Sequence, residues 1–317
     1  MEQCHCVIDI GTVTCRMLLA VYDPDNPSSL REIAHLHEIT DLGRGVDGTG
    51  YLSHDGINHV ETAIRKFISV RDASAPKGMP LNTICVATSA TRDAKNADKF
   101  KSMLRTYGLE PRVITGQEEG AASFAGATLG MEGKCVMMVD SGGGSTETVI
   151  GVAGQRPLFI HSFQVGCRRV TDRFLLTDTY SEEQLFAAYD WIKKTMEPVL
   201  GGALEALEAK GLSMEEIIAV AGSATSAVSI RDVMDPYDPA KVHGQTVSAD
   251  DLNALIMRLS AAPQVMRRRV IGLEPERAGV IVGGFLILRA VLDITKKPFY
   301  RASENDLLQG IILQSAR

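Results

Sequence analysis

Short apolar runs, each closed by Gly, Asp or Pro, open the chain: CVIDI, then RMLLAVYD, then REIAHLHEI. Runs of this length bounded by turn formers predict strands. From about Ser53 to Arg71 the period changes, and Ile57, Val60, Ile64 and Phe67 fall on one face of a predicted helix. The alternation continues with a strand in NTICVATS, a helix through ATRDAKNADKFKSMLRTYG, a strand at VIT and a helix at QEEGAASFAGATLG. Three strands followed by alternating helices and strands predict an α/β layer architecture.

The pattern then restarts. Lys134 to Gly151 reads strand, glycine loop, strand (KCVMMVD, SGGGS, TETVIG), as the N-terminus does (CVIDI, GTVT, CRMLLAV). In both copies an Asp ends the first strand and a turn of small residues follows. This echo predicts two related lobes, each opening with a β-hairpin whose turn faces a common cleft. The second half is more helical, with helical periodicity in SEEQLFAAYDWIKKTMEPVL, SADDLNALIMRLSAA and the run after Glu276, and a strand expected in IIAVAGSAT. The expected lobes are 1–125 and 126–317, with the last helix, about 303–317, a candidate to pack back onto the first.

Composition narrows the classes. The 317 residues are 45% hydrophobic and 23% charged, an ordinary globular balance with room for two domains. A formal charge of −6 argues against general attraction to nucleic acid polymers or to an anionic membrane face, so any polyanion must be held by local positive charge. Met1 runs directly into CHCVIDIG without a leader pattern, and AGVIVGGFLILRAVLDI is interrupted by Arg289 and Asp293, so a buried helix and a cytoplasmic protein are expected. The six cysteines are scattered through apolar runs with no CxxC and no second ligand pair at zinc spacing. Buried reduced thiols fit that distribution.

The most informative segment is Asp140-Ser141-Gly142-Gly143-Gly144-Ser145-Thr146-Glu147. Three successive glycines remove every Cβ that would keep an anion from the backbone amides, so the turn can form a phosphate-binding nest. The Ser145 and Thr146 hydroxyls add donors. Asp140 and Glu147 flank the turn, and each can offer a hard oxygen ligand to a Mg²⁺ that also takes phosphate oxygens. No Walker A loop and no Rossmann fingerprint occurs. The turn from Asp9 through Gly11, Thr12 and Thr14 to Arg16 is weak alone, but paired with the glycine loop it becomes the other jaw of a phosphate clamp.

Arg92 follows a predicted strand, where ligands gather in open α/β sheets. It can hold phosphate bidentately, and spacing alone leaves open whether it does so or stands solvated in the first turn of a helix. Glu118 fits a capping box with Thr115. Ser181 to Gln184 and Ser213 to Glu216 fit the same template, so by spacing alone capping is the stronger reading of Glu118. The functional reading is a carboxylate that orients or deprotonates an attacking water. Arg267-Arg268-Arg269 reads as a solvated helix face, and His243-Gly244 as turn chemistry.

Together these motifs resemble the exopolyphosphatase/guanosine pentaphosphate phosphohydrolase family, in order and over nearly the whole chain. Asp9 to Arg16 resembles its first phosphate loop, and Leu42 to Val46 with Thr49 to Ser53 the segment leading into its first helix. Ala87 to Arg92 resembles its arginine motif, Ile114 to Glu119 its catalytic glutamate motif, and Asp140 to Glu147 its second phosphate loop. Gly166 to Arg169, Ala221 to Thr225 and Glu274 to Ala278 extend the likeness. The resemblance implies two actin-like (ribonuclease H-like) lobes with an interlobe phosphate-binding cleft. It also implies Mg²⁺-dependent hydrolysis of terminal phosphoanhydrides, and it moves Glu118 from cap to base. Asp140 and Glu147 would bind the metal. Arg92, Gly11, Thr12, Thr14, Arg16, Gly142, Gly143, Gly144, Ser145 and Thr146 would hold phosphate.

Inorganic polyphosphate and guanosine pentaphosphate are both implied as substrates, a homodimer is common in such a family, and a K⁺ requirement is left open. The chain departs from the family at Thr12-Val13-Thr14, at Arg168 and at Gly279, positions that bear on substrate preference and turnover. Two rivals stand beside the hydrolase: a non-catalytic polyphosphate or alarmone sensor, and an actin-like-fold kinase or ATPase.

Overall fold

The computed structural model describes residues 2–315. It divides into two compact units, one formed by Met1–Gly126 with Leu307–Arg317 and the other by Ala127–Asp306.

In the first unit β1 (Gln3–Ile10), β2 (Thr14–Asp23) and β3 (Asn26–Ile39) run antiparallel, while β4 (Leu81–Ala87) and β5 (Pro111–Val113) extend the other side of β1 in parallel. The order is β3-β2-β1-β4-β5. Strand alternation explains the central position of β1: Cys4, Cys6, Ile8 and Ile10 enter one core, while His5 and Val7, also without exposed surface, line the other face. A short helix α1 (Val46–Thr49) precedes α2 (His54–Ser74), whose N-cap Ser53 accepts the Gly56 amide and whose Val60, Ile64 and Phe67 are buried. The single helix expected over residues 90–108 is two, α3 (Ser89–Asp93) and α4 (Ala97–Arg105). Ala94 is extended, and the Asn96 side chain bonds both the amide and the carbonyl of Leu52 at 2.9 Å, so this side chain ties the break to a distant loop. Helix α5 (Gly116–Ala127) follows β5. The C-terminal helix Leu307–Ser315 lies close against α5, where a Cβ on Gly310 would fall 1.8 Å from the Ala122 carbonyl oxygen.

The second unit repeats the scheme. Strands β6 (Cys135–Ser141), β7 (Thr146–Val152) and β8 (Phe159–Phe163) are antiparallel, β9 (Glu216–Val220) is parallel to β6, and β11 (Phe299–Ala302) is parallel to β9. An extra edge strand β10 (Thr246–Ser248) pairs with β11. The run β8-β7-β6-β9-β11 therefore copies β3-β2-β1-β4-β5, and both units are α/β lobes of one topology. Helices α6 (Cys167–Phe174), α7 (Glu182–Glu208), α8 (Ala221–Arg231), α9 (Pro239–Val242), α10 (Ala249–Ser260), α11 (Gln264–Arg267) and α12 (Ile281–Thr295) complete it.

Local chemistry revises several expectations. The strand expected in IIAVAGSAT ends at Val220, because Ala221 turns to φ 68° and the small residues after it open α8. Small size is required there: a Cβ on Gly222 would sit 2.0 Å from Arg277 Nη1. Ser181 and Gln184 form a capping box at the start of α7. Ser213 to Glu216 do not, since Glu216 opens β9 and accepts from Arg301 at 2.8 Å.

Arg267 is not part of a solvated face. It is 1% exposed, and it donates to the carbonyls of Leu259, Ala262 and Ala278 and to the Tyr180 hydroxyl. Arg268 and Arg269 are exposed as expected. Helix α12 is buried along nearly its whole length, and no described helix is long and apolar enough to cross a membrane. All six cysteines are free and buried.

Candidate functional site

The glycine loop of the second unit is held from one side. Cys167 and Arg168, at the start of α6, donate their amides to the carbonyls of Gly142 and Gly143 at 2.9 Å, and the Arg169 amide also reaches Gly143 at 3.3 Å. The Gly144 carbonyl accepts from Arg169 Nε at 2.9 Å. In a trans peptide the N–H points opposite to the C=O. Three carbonyls drawn toward α6 therefore turn the amides of Gly143, Gly144 and Ser145 the other way, as a row of donors suited to an anion. The approach of loop and helix needs Gly166, whose Cβ would fall 2.3 Å from the Gly143 oxygen.

Below the loop, Asp140 and Glu147 are direct partners across β6 and β7, and Ser162 is the partner of Glu147 on β8. Period-two alternation puts all three side chains on one face. Ser162 Oγ donates to Glu147 Oε1 at 2.6 Å. Asp140 is 6% exposed and Glu147 1%. Thr146 falls on the opposite face with Phe163, and its hydroxyl donates to the Val165 carbonyl. Its hydroxyl, expected on phosphate, thus has a carbonyl partner on the face away from Asp140 and Glu147. Ser145 is buried at the end of the loop.

No group of three or more His, Cys, Asp or Glu among the described residues could by itself hold a metal ion. Two buried carboxylates on one face are nonetheless a fitting donor set for Mg²⁺, which keeps several waters and takes phosphate oxygens in place of a full protein cage.

The first unit builds its turn with different means. Gly11 donates to the Thr14 carbonyl at 3.0 Å, as Gly142 does to Ser145 at 3.1 Å. The Thr12 carbonyl accepts from Gly43, and the Val13 carbonyl from Thr40 and Asp41. The amides of Val13 and Thr14 are thereby turned away from that support. Thr12 is buried, with its methyl packed so closely on Gly43 that a Cβ there would lie 2.2 Å from it. Asp9 and Arg16 occupy the register that Asp140 and Glu147 hold in the second unit, and Arg16 binds the Asp9 carboxylate through Nε at 3.1 Å and Nη2 at 2.7 Å. The Arg16 guanidinium, expected on phosphate, thus has a carboxylate partner.

Arg92, in α3 past the end of β4, donates Nη1 to the Ile114 carbonyl at 2.7 Å and stands 3.6 Å from Glu119 Oε2. Its Nη2 is buried without a hydrogen-bond partner among the described residues. Glu118 is committed to the cap: its Oε2 accepts the Thr115 amide at 2.8 Å and hydroxyl at 2.9 Å, and its own amide donates back. Its side chain is 47% exposed. The two Thr115 bonds hold its carboxyl below the ordinary glutamate range, with Arg112 adding to the effect.

The neighbouring Glu119, 8% exposed and beside Arg92, has the surroundings of a working carboxylate. Sequence spacing did carry a sign of it, since Glu119 shares a helical face with Ala122, Ser123 and Gly126, all buried. The capping box that spacing gave Glu118 is present, with Thr115. Arg169 was also missed, because its partner is a backbone carbonyl and leaves no mark in sequence.

Residues 20–317 match the Ppx/GppA phosphatase family. Among curated relatives, Exopolyphosphatase 2 of Mycobacterium tuberculosis is 31% identical over 328 residues, covering 98% of this chain and 97% of the relative. A bifunctional 3-dehydroquinate synthase/phosphatase of Fusobacterium nucleatum is 33% identical over 316 residues, 97% of this chain but only 46% of that relative's length. The solved structure of the Aquifex aeolicus PPX-GPPA enzyme matches with TM-score 0.77 at 27% identity, covering 99% of this chain and 100% of that one. An exopolyphosphatase from Cytophaga hutchinsonii shares the fold, with TM-score 0.84 at 23% identity and 99% of each chain covered.

Proposed function

Because the chain belongs to the Ppx/GppA phosphatase family, we propose that it is an exopolyphosphatase, a hydrolase that removes terminal orthophosphate from inorganic polyphosphate. The observation that carries this reading is the row of amides at Gly143, Gly144 and Ser145, with the Asp140 and Glu147 carboxylates at its base.

The chemistry follows from the residues. A phosphoryl group in flight spreads charge over its equatorial oxygens, and fixed amides stabilise that charge without reorganising. In the second unit the glycine-loop amides serve those oxygens, and Asp140 and Glu147 hold Mg²⁺. The bound metal supplies neutralising charge on the phosphate oxygens. In the first unit the amides of Val13 and Thr14 and the spare Nη2 of Arg92 bind phosphate. Glu119 takes the proton of the attacking water, the role first expected of Glu118. A carboxylate serves as base when it is sheltered from water and set beside the groups that hold the phosphate, as Glu119 is beside Arg92, whereas Glu118 is exposed and already accepts two hydrogen bonds from Thr115.

The test is orthophosphate release with Mg²⁺ from tripolyphosphate, long-chain polyphosphate and guanosine pentaphosphate, for the wild type and Glu119→Gln. Release that Glu119→Gln abolishes at unchanged thermal stability supports the hydrolase, and the preferred substrate places it within the family. Tight tripolyphosphate binding without release from any substrate would leave a sensor in its place.

A further inference from the structure

Arg169 stands out because its side chain, and not only its backbone, holds a carbonyl of the second phosphate-binding turn. In the first unit the turn carbonyls of Thr12 and Val13 rest on backbone amides of residues 40–43. In the second, Gly142 and Gly143 rest on the amides that open α6, but the third peptide lies beyond their reach. Its carbonyl, on Gly144, is held by Arg169 Nε at 2.9 Å. The same guanidinium is steadied by Gln164, whose Oε1 accepts from Nη2 at 3.1 Å, and the Arg169 amide is 3.3 Å from the Gly143 carbonyl. One residue therefore fixes two successive peptides of the loop.

Gly144 has no Cβ to restrict its ψ, so the peptide that follows it turns over more easily than one between two substituted residues. If the Gly144–Ser145 peptide flips, the Ser145 N–H leaves the donor row and a carbonyl oxygen takes its place, replacing attraction for a phosphoryl oxygen by repulsion. A charge-assisted hydrogen bond from a guanidinium is stronger than a neutral one, and it resists that flip. It also polarises the peptide, making the Ser145 amide a better donor.

We infer that Arg169 is a positioning residue for phosphoryl transfer, acting through the Gly144 carbonyl to aim the Ser145 amide at the reacting phosphate. The inference rests on reading residues 142–145 as the phosphate cradle. Arg169 touches no substrate in this role, so its loss lowers kcat more than it raises KM. Loss of one oriented supporting group typically costs roughly 10- to 100-fold in activity.

The experiment compares Arg169→Ala, Arg169→Lys and, as a control, Arg173→Ala, which removes a like charge from an exposed position of α6 stacked over Trp191. Tripolyphosphate turnover, tripolyphosphate binding and thermal midpoint are measured for each. The expected result is a kcat reduced roughly 10- to 100-fold in Arg169→Ala with KM within about threefold, partial recovery on adding methylguanidinium, and full activity in Arg173→Ala. Arg169→Lys keeps the charge but cannot bond Gly144 and Gln164 together, so it remains impaired; should Arg169→Ala fail to fold, this variant carries the test. Wild-type kcat in the Arg169 variants, a loss confined to KM, or an equal loss in Arg173→Ala overturns the inference while the hydrolase stands. A wild type that neither binds nor cleaves tripolyphosphate overturns the functional reading, and this inference with it.

Discussion

Asp140 and Glu147 face one another across adjacent antiparallel strands at the register where the first unit sets Asp9 against Arg16. The first unit neutralises its buried carboxylate with a guanidinium at 2.7 Å. The second sets two acids together, 6% and 1% exposed. Like charges directly opposite on a sheet, with Cβ atoms roughly 5 Å apart, are destabilising, and under the proposed function a bound Mg²⁺ would relieve them. Mg²⁺ is therefore expected to raise the thermal midpoint of the wild type, by the equivalent of about 2.7 kcal/mol at one hundred times its dissociation constant. Glu147→Gln, which removes one of the two charges, should abolish most of that dependence. A wild-type midpoint indifferent to Mg²⁺ would refute the metal assignment.

The adjacent glutamates separate by substitution. Glu118→Gln keeps an acceptor for the Thr115 amide and hydroxyl, so turnover should stay within about twofold and stability should barely move. Glu118→Ala removes the returning half of the capping box and leaves Thr115 as the cap, so it should cost about 0.5 kcal/mol in chemical denaturation, again with little effect on kcat. Glu119→Gln should reduce kcat by roughly 10²- to 10⁴-fold. If Glu118→Gln proves inactive and Glu119→Gln active, the roles are reversed.

What the sequence revealed follows from where the determining contacts lie. The two hairpins were readable because CVIDI and KCVMMVD are buried central strands, each carrying an Asp at its end and followed by a small-residue turn, and every one of those features is local. The break at Ala94 was not, since Asn96 bonds Leu52, 44 residues away. The partner of the Thr146 hydroxyl was not legible either, since it is the Val165 carbonyl, just past β8 and 19 residues away. Arg267 misled for the same reason. Nothing local distinguishes it from Arg268, and only the folded chain brings the ends of α10 and the turn at Ala278 to its guanidinium.

Arg267 gives the largest stability effect expected outside the glycine loop. Its guanidinium satisfies the Leu259, Ala262 and Ala278 carbonyls and the Tyr180 hydroxyl, and its face lies 4.5 Å from the Tyr180 ring centre. Arg267→Met fills similar volume but leaves these buried acceptors without a donor. A cost of about 3 kcal/mol or more is expected from urea unfolding, with KM for tripolyphosphate unchanged in the folded fraction. A cost below about 1 kcal/mol would mean that water replaces the guanidinium there.

Glu216 sets an acid limit on the second unit. Burial works to raise its pKa, but Arg301 at 2.8 Å and Lys134 at 3.5 Å outweigh burial and hold it below the ordinary value of 4.5. A carboxyl whose pKa is depressed by folding binds its proton more weakly in the folded chain than in the unfolded one. Its contribution is therefore complete above pH 4.5 and fades as pH falls through the folded-state value. Because Arg301 is 40% exposed, solvent screens the pair, and the contribution at pH 7 is expected to be about 1 kcal/mol or less. The stability difference between wild type and Glu216→Gln should stay constant from pH 7 to about pH 5 and shrink below that, read as urea midpoints at each pH. A difference that grows on acidification would show that the bond between β9 and β11 is not what the Glu216 charge provides.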